Sequence, residues 1–373
     1  MEIRIITCHD VYNSGASLQA FALQTYLQSL GHDVAIIDYK PDYLSGHYKL
    51  WAYHKGVDYP IVKQLYLLAK LPGRLLSLRT KRKFDTFTKK HLRLTKRYNS
   101  YEELRYNPPE ADCYIAGSDQ IWNTLFKNGR DPAFYLDFGQ NKVKRISYAA
   151  SFATSSIDER YRVFVSRELK RFDKVSIRES VSLPLLESLG RSDGCAVCDP
   201  VFLLPRSLWE NFLPVGRNNN HHYILVYYTE NSDEMQEIAK MMSKKTGWKI
   251  YNIGLHKQRV INNSIVVDPF EFVDLIRDAE FVISNSFHAT AFSVIFKKRF
   301  CVVKRSEDIN ERMVSFLEDC GVSQRMVNKY YDGILELPDY SQINIRLEKI
   351  VATSMEWLDN AINGIKGRTI TNY

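Results

Sequence analysis

Short apolar runs alternate with helix-patterned stretches twice along this chain, and no other feature restricts its fold as far. In the first half, residues 3–7 and 34–39 read as strands around a helix at 16–30 that stops at Gly31. Residues 113–116 and 146–150 read as further strands, 161–172 as a helix, and 175–177 as a short strand ending at Arg178. Two prolines, Pro200 and Pro205, then interrupt the pattern and mark a crossover. After the polar run from Asn218 to His222 the alternation restarts, with strands at 223–228, 249–253, 281–283 and 300–303. Helices at 233–246, 269–278 and 290–296 lie between them, and the tail from Ile343 is helical. Alternating β and α twice over predicts an α/β protein with two doubly wound, Rossmann-like domains facing a cleft.

Length agrees with two domains, since 373 residues exceed one compact core. The predicted division is 1–205, with a basic helical insert at about 45–100, then 206–345, then a C-terminal helix at 346–373 packing back toward the first domain. Met1 runs directly into the first strand, so no signal peptide is read, and no apolar run approaches a membrane span. A cytoplasmic location is expected. The six cysteines are expected to be reduced. Cys195 and Cys198 form a C-x-x-C, but no second pair at short spacing completes a zinc site. Net charge is +8, and nine Lys/Arg against one acid, Asp85, fall between Arg79 and Arg97. That segment is either a solvated helix pair with Phe84 and Phe87 turned inward, or a patch facing an anionic membrane or a lipid pyrophosphate. No recognition motif supports nucleic acid as a partner.

Four constellations carry chemistry. Ser284-Asn285-Ser286-Phe287-His288-Ala289 follows a buried strand and opens a helix, at the carboxyl edge where such sheets bind ligands. The free N–H groups of a helix start suit an anion there, and a histidine, whose reference pKa lies near neutrality, suits an acid or a phosphate donor. Gly117-Ser118-Asp119-Gln120-Ile121-Trp122-Asn123 also follows a strand. Its carboxylate, amides and indole form a set suited to carbohydrate, with Trp122 either a sugar platform or core. Arg178, at a strand end, can fork onto a carboxylate or phosphate, or pair with Glu179. Asn13-Ser14-Gly15 opens the first helix as a cap or as a cleft wall that touches substrate through main-chain N–H groups, and it lacks the glycine pattern of a dinucleotide cradle. No catalytic-serine elbow and no metal motif appears.

Taken together, Asn13–Gln19, Gly117–Asn123, Tyr148–Phe152, Ser176–Glu179, Asp199-Pro200 and Ser284–Ala289 resemble, in order and spacing, the polysaccharide pyruvyltransferase family. The resemblance implies a glycosyltransferase-B-like arrangement with the active site between the domains and the acceptor on the N-terminal side. It implies transfer of pyruvate from phosphoenolpyruvate to a sugar diol as a cyclic ketal, on a glycan or lipid-linked oligosaccharide made for a capsule or surface polymer. No metal or other cofactor is implied, and phosphoenolpyruvate is a co-substrate. Mapped onto this chain, Arg178, Ser284, Ser286, His288 and Arg312 would bind the donor. Asn13, Gly15, Ser118, Asp119, Gln120, Trp122 and Asn123 would bind the acceptor, and His288, Asp119 and Arg178 would carry the chemistry. Many family members have an arginine where this chain has Ser286, and Lys304, Arg305 or Arg312 would replace that charge. Two other functions share the features: a nucleotide-sugar glycosyltransferase on the same architecture, and a non-catalytic glycan-binding protein.

Overall fold

The structure is a computed structural model, and it describes residues 1–45, 78–214, 222–230, 232–254, 266–305 and 310–364. The first lobe is built on a parallel sheet of β1 (Glu2–Ile6), β2 (Asp33–Tyr39), β3 (Leu94–Tyr98), β4 (Cys113–Ala116) and β5 (Lys144–Ser147), in the order β3-β2-β1-β4-β5. A parallel pair, β6 (Ser176–Ile177) and β7 (Cys195–Ala196), extends it through bridges from Ile146 to Lys174 and from Ala150 to Ile177. The second lobe holds β8 (Tyr223–Tyr228), β9 (Lys249–Gly254), β10 (Phe281–Ser284), β11 (Arg299–Val303) and β12 (Met326–Val327), in the order β12-β11-β10-β8-β9. The principal helices are α1 (Ser14–Ser29), α2 (Glu159–Leu169), α3 (Asp233–Thr246), α4 (Pro269–Asp278), α5 (Phe287–Ile295), α6 (Glu311–Asp319) and α7 (Tyr340–Asn363). The fold is α/β with two parallel, doubly wound sheets.

Strand order reverses between β1 and β4 in one lobe and between β8 and β10 in the other. A crevice opens at such a switch point, outside the strands' carboxyl ends. The Gly117–Asn123 loop leaves β4, and the Ser284–Ala289 turn leaves β10. Both chemistry-bearing motifs therefore begin beside a switch point, one per lobe.

The expected helical insert needs a correction. Residues 94–98 are not helical but form β3, an edge strand whose residues Leu94 to Arg97 stay partly or fully exposed. Its Leu-Thr-Lys-Arg-Tyr sequence lacks a buried apolar run, the signal that identified the other strands. Residues 78–91 are helical, with Phe84 and Phe87 buried. Four of the nine basic residues there pair with acids of this chain: Lys81 with Asp85, Lys83 with Glu271, Arg93 with Asp33 and Arg97 with Asp38. The remainder of the expected insert, 46–77, lies outside the described residues. Among the described residues no helix is long and apolar enough to cross a membrane.

The lobes share one apolar seam. Helix α1 is buried continuously from Ser14 to Gln24, because it lies between its own sheet and the second lobe. The Phe21 ring meets Phe87, Trp209, Phe212 and Phe270 at centroid distances of 5.0 to 6.2 Å. Edge-to-face pairs of this kind add ~0.5–1.5 kcal/mol each beyond area burial. Helix α7 ties the lobes again. Its first residue, Tyr340, donates to the carbonyls of Ser293 and Lys298, while farther along Ser354 Oγ accepts from Cys198 N–H at 2.9 Å.

Candidate active site

Each motif is held by hydrogen bonds its own residues supply. Ser284 Oγ donates to the Tyr227 carbonyl at 2.7 Å and accepts from Ser286 N–H at 3.0 Å. Asn285 accepts from Thr229 N–H at 2.8 Å and donates to the Glu230 carbonyl at 2.7 Å. These bonds lock β10 to the end of β8 and aim Phe287 and His288 at the first lobe. On the other side Asp119 adopts φ +79, in the left-handed region, which costs about 1–3 kcal/mol for a non-glycine residue. Its carbonyl accepts from Ile121 and Ser151 N–H, and its carboxylate accepts from Gln120 N–H at 2.8 Å.

Between the motifs lies a carboxylate that the sequence placed in a crossover and in the Asp199-Pro200 segment of the resemblance, with no role at the site. Asp199 is almost wholly buried. Its Oδ1 accepts from Val201 N–H and starts the short helix Pro200–Leu203. Its Oδ2 accepts from Arg178 Nη1 at 2.8 Å and from Ser118 Oγ at 3.2 Å, and lies 3.5 Å from His288 Nε2. Burial alone would raise this carboxyl, but His288 and Arg178 beside it hold it well below the usual carboxylate range. Arg178 comes from the first lobe and His288 from the second, so the two predicted donor-side groups meet on one oxygen.

Arg178 is poised for more than a salt bridge. Its guanidinium sits 4.7 Å from the centre of the Phe287 ring. Nε lies 3.5 Å from Glu179, beyond a hydrogen bond, and Nε and Nη2 are buried without hydrogen-bond partners. Glu179 accepts from Ser151 through Oε1, while its Oε2 is also buried and unpartnered. Burial opposes the Arg178 charge, but Glu179, Asp199 and Asp119 outweigh it and raise the pKa. Arg312, on α6, faces the same region. Burial and repulsion from Arg178 pull it down to about 10, against attraction from Asp119 and Glu179. Gln120, with its amide oxygen turned to Arg312, accepts from both terminal nitrogens at 3.1 and 2.7 Å. A cavity of about 170 Å³ opens beside these groups, lined by the charged Arg178, Arg312, Asp199 and Asp319 and by Phe287, Phe202 and Phe316 among its apolar walls. Two cations beside a small cavity, one of them with two idle donors, form an anion site.

Several expected contacts are spent on structure. Trp122 is fully buried, stacks on Tyr135 at 5.6 Å and donates its Nε1–H to the Phe134 carbonyl, so it has no free face for a sugar. Asn123 is buried and accepts from Leu125 N–H. The Ser118 hydroxyl goes to Asp199 and the Ser284 hydroxyl to Tyr227, so neither is free for substrate. Asn13 caps α1 by accepting from Ala16 N–H at 3.2 Å. Gly15 forms a wall, but against His288: a Cβ there would fall 2.8 Å from the imidazole Cε1 and nearer still to Cγ and Nδ1. Ser286 occupies the position before α5 without capping it, and is 7% exposed. Asp119 and Gln120 remain partly exposed. Among the described residues no group of three His, Cys, Asp or Glu side chains is placed to hold a metal ion.

The family model described as polysaccharide pyruvyl transferase matches residues 13–307. The chain belongs to the polysaccharide pyruvyl transferase family. All the motifs that build the site lie inside the matched span, and Arg312 lies just beyond it. Among curated proteins nothing matches. Among solved structures the chain is similar to S. aureus MnaA in its co-structure with UDP, at 10% identity and a TM-score of 0.53, covering 98% of this chain and 97% of that one. It is also similar to a UDP-N-acetylglucosamine 2-epimerase, at 9% identity and a TM-score of 0.52, covering 98% and 96%. At such identities the likeness concerns the fold, which is glycosyltransferase-B-like. In this pyruvyl transferase family member Arg312 reaches the region of Arg178, Asp119 and Glu179 from α6.

Proposed function

We propose that this protein transfers the pyruvyl group of phosphoenolpyruvate to two hydroxyls of a sugar as a cyclic ketal, in the synthesis of a surface or capsular polysaccharide. The observation that carries the reading is the pair Arg178 and Arg312 beside a small cavity, with two Arg178 nitrogens lacking partners. A charged hydrogen bond is worth about 1.5–3 kcal/mol, so idle buried guanidinium nitrogens favour a compact anion with several acceptor oxygens. At about 170 Å³ the cavity has room for on the order of ten waters, which suits a three-carbon phosphorylated acid better than a nucleotide sugar. The apolar walls would receive the methylene end.

The first step adds one sugar O–H across the enol double bond. The oxygen bonds to the central carbon, a proton leaves the oxygen, and one arrives at the methylene carbon. His288 would move that proton, and Asp119, supplied by the opposite lobe, would hold the acceptor hydroxyl in place. The second hydroxyl then displaces phosphate: its oxygen bonds to the central carbon, the carbon–phosphate C–O bond breaks with the electron pair leaving on phosphate, and the hydroxyl proton departs with the phosphate. Holding both hydroxyls against one carbon supplies the proximity contribution. No metal or further cofactor enters this scheme. The acceptor is a glycan or lipid-linked oligosaccharide. The basic residues of 79–97 without acidic partners would favour an anionic membrane face, and vesicle sedimentation that weakens with salt tests this.

The direct test is phosphate release from phosphoenolpyruvate with a lipid-linked glycan. Arg178→Ala and His288→Ala should each cost more than ~100-fold. Unchanged rates in both variants, each shown to be folded, would refute the site assignment.

A further inference from the structure

Asp199 meets Arg178 from its own lobe and His288 from the other, and its position bears on which histidine nitrogen can take a proton. His288 Nε2 faces the Asp199 carboxylate at 3.5 Å and is buried with no hydrogen-bond partner. The opposite edge of the ring, with Nδ1, lies against the Gly15 backbone at the start of α1. Phe287 meets the ring edge-on at 5.3 Å. The charged groups gathered at the Nε2 side are Asp199 and Arg178, while Gly15 on α1 brings no titratable side chain.

We propose that Asp199 is a positioning residue for His288, holding the imidazole as the Nε2–H tautomer and leaving Nδ1 as the nitrogen that accepts the acceptor hydroxyl's proton. The physical argument is the general one for a histidine backed by a carboxylate. The carboxylate takes the N–H of one nitrogen, fixes ring orientation and stabilises the imidazolium that forms when the other nitrogen is protonated. Arg178 and Ser118 reinforce the arrangement by fixing the same carboxylate oxygen. The gap of 3.5 Å is longer than a hydrogen bond, and contacts of this kind tighten when substrate binds. In the addition step the hydroxyl O–H bond breaks, the proton passes to Nδ1, and the oxygen bonds to the central carbon. The imidazolium then returns one proton to the methylene carbon, so no outside acid or base is required.

The assignment of Nδ1 as proton acceptor rests on the pyruvyl-transfer reading; the tautomer does not. The test is a long-range 1H–15N spectrum of the full-length protein at pH 8 without substrate, with His288→Gln used to assign the resonance. A neutral ring protonated at Nε2 is expected, and Asp199→Asn should shift it toward Nδ1–H and lower kcat at least tenfold. Ser118→Ala, which keeps the carboxylate, should keep the wild-type tautomer. A wild-type ring protonated at Nδ1, a ring doubly protonated at pH 8, or a tautomer unmoved in a folded Asp199→Asn protein would each overturn the assignment. Should Asp199→Asn fail to fold, the wild-type spectrum decides alone. Nε2–H without any binding of phosphoenolpyruvate would refute the donor reading and leave the tautomer assignment standing.

Discussion

Gly15→Ala offers a clean probe of the seam, because one side chain blocks it. Gly15 is the second residue of α1, with no left-handed backbone requirement, and the three atoms nearest an added methyl group all belong to the His288 ring. An alanine in a helix is worth up to ~1 kcal/mol over glycine, so an unobstructed site would gain stability. Here the methyl carbon would fall 2.8 Å or less from three ring atoms, against 3.4 Å or more for an ordinary contact. The ring must retreat, or the lobes must part. Overpacking of this size costs about 1–3 kcal/mol, and displacing a catalytic group by about 1 Å costs ~100-fold in rate. Gly15→Ala should therefore destabilise the wild type by about 1–3 kcal/mol in urea unfolding and lower phosphate release ~100-fold. In a His288→Ala background the same methyl should be neutral or stabilising by up to ~1 kcal/mol. Equal costs in both backgrounds would refute the packing of the imidazole on α1.

Trp122→Phe removes the bond to the Phe134 carbonyl and should cost about 1–3 kcal/mol in stability with kcat per folded molecule unchanged; a selective loss of acceptor affinity would restore Trp122 to the sugar site. Phe21→Ala should cost about 3–5 kcal/mol and lower the melting of both lobes together, because the ring lies in their common core; separate transitions in calorimetry would contradict a shared seam. Asp199 contributes stability above its unfolded pKa near 4, because its native pKa is depressed, and that contribution is lost as pH falls through the native value. Acid unfolding of Asp199→Asn should accordingly be less steep below about pH 4, and identical acid limbs would contradict the ionised pair. Burial pushes the Cys113 and Cys320 thiols up to about 12 and Cys195 and Cys198 up to about 11, so native protein should alkylate slowly and denatured protein fast; rapid native labelling would contradict this.

The fold was legible where burial imposes a plain pattern. The apolar runs of β1, β2, β4, β8 and β10 announce interior parallel strands, and the glycine and polar punctuation marks their helices. β3 was not legible, because an edge strand beside solvent can be Leu-Thr-Lys-Arg-Tyr and still pair. At the site, Arg178, His288 and Asp119 stood out because charged or titratable groups sit at strand ends. Their companions did not. Asp199 reads in sequence as an acid before proline, a common start to a short helix, and only the fold reveals that Arg178, Ser118 and His288 share its oxygen. Trp122 and Asn123 illustrate the converse. Polar and aromatic residues crowded into a turn suggest ligand contact, yet here they anchor the turn to the core. Sequence shows which residues flank a switch point, and the third dimension decides which of them face the cleft.

The central claim is that Arg178 and Arg312 jointly hold a small, highly charged donor. Calorimetric titration of phosphoenolpyruvate into the wild type, Arg178→Ala and Arg312→Ala, with uridine diphosphate as competitor, tests it most directly. The account predicts binding by the wild type, at least tenfold weaker binding by each variant, and no displacement by the nucleotide. No binding of phosphoenolpyruvate, together with tight binding of uridine diphosphate, would contradict it.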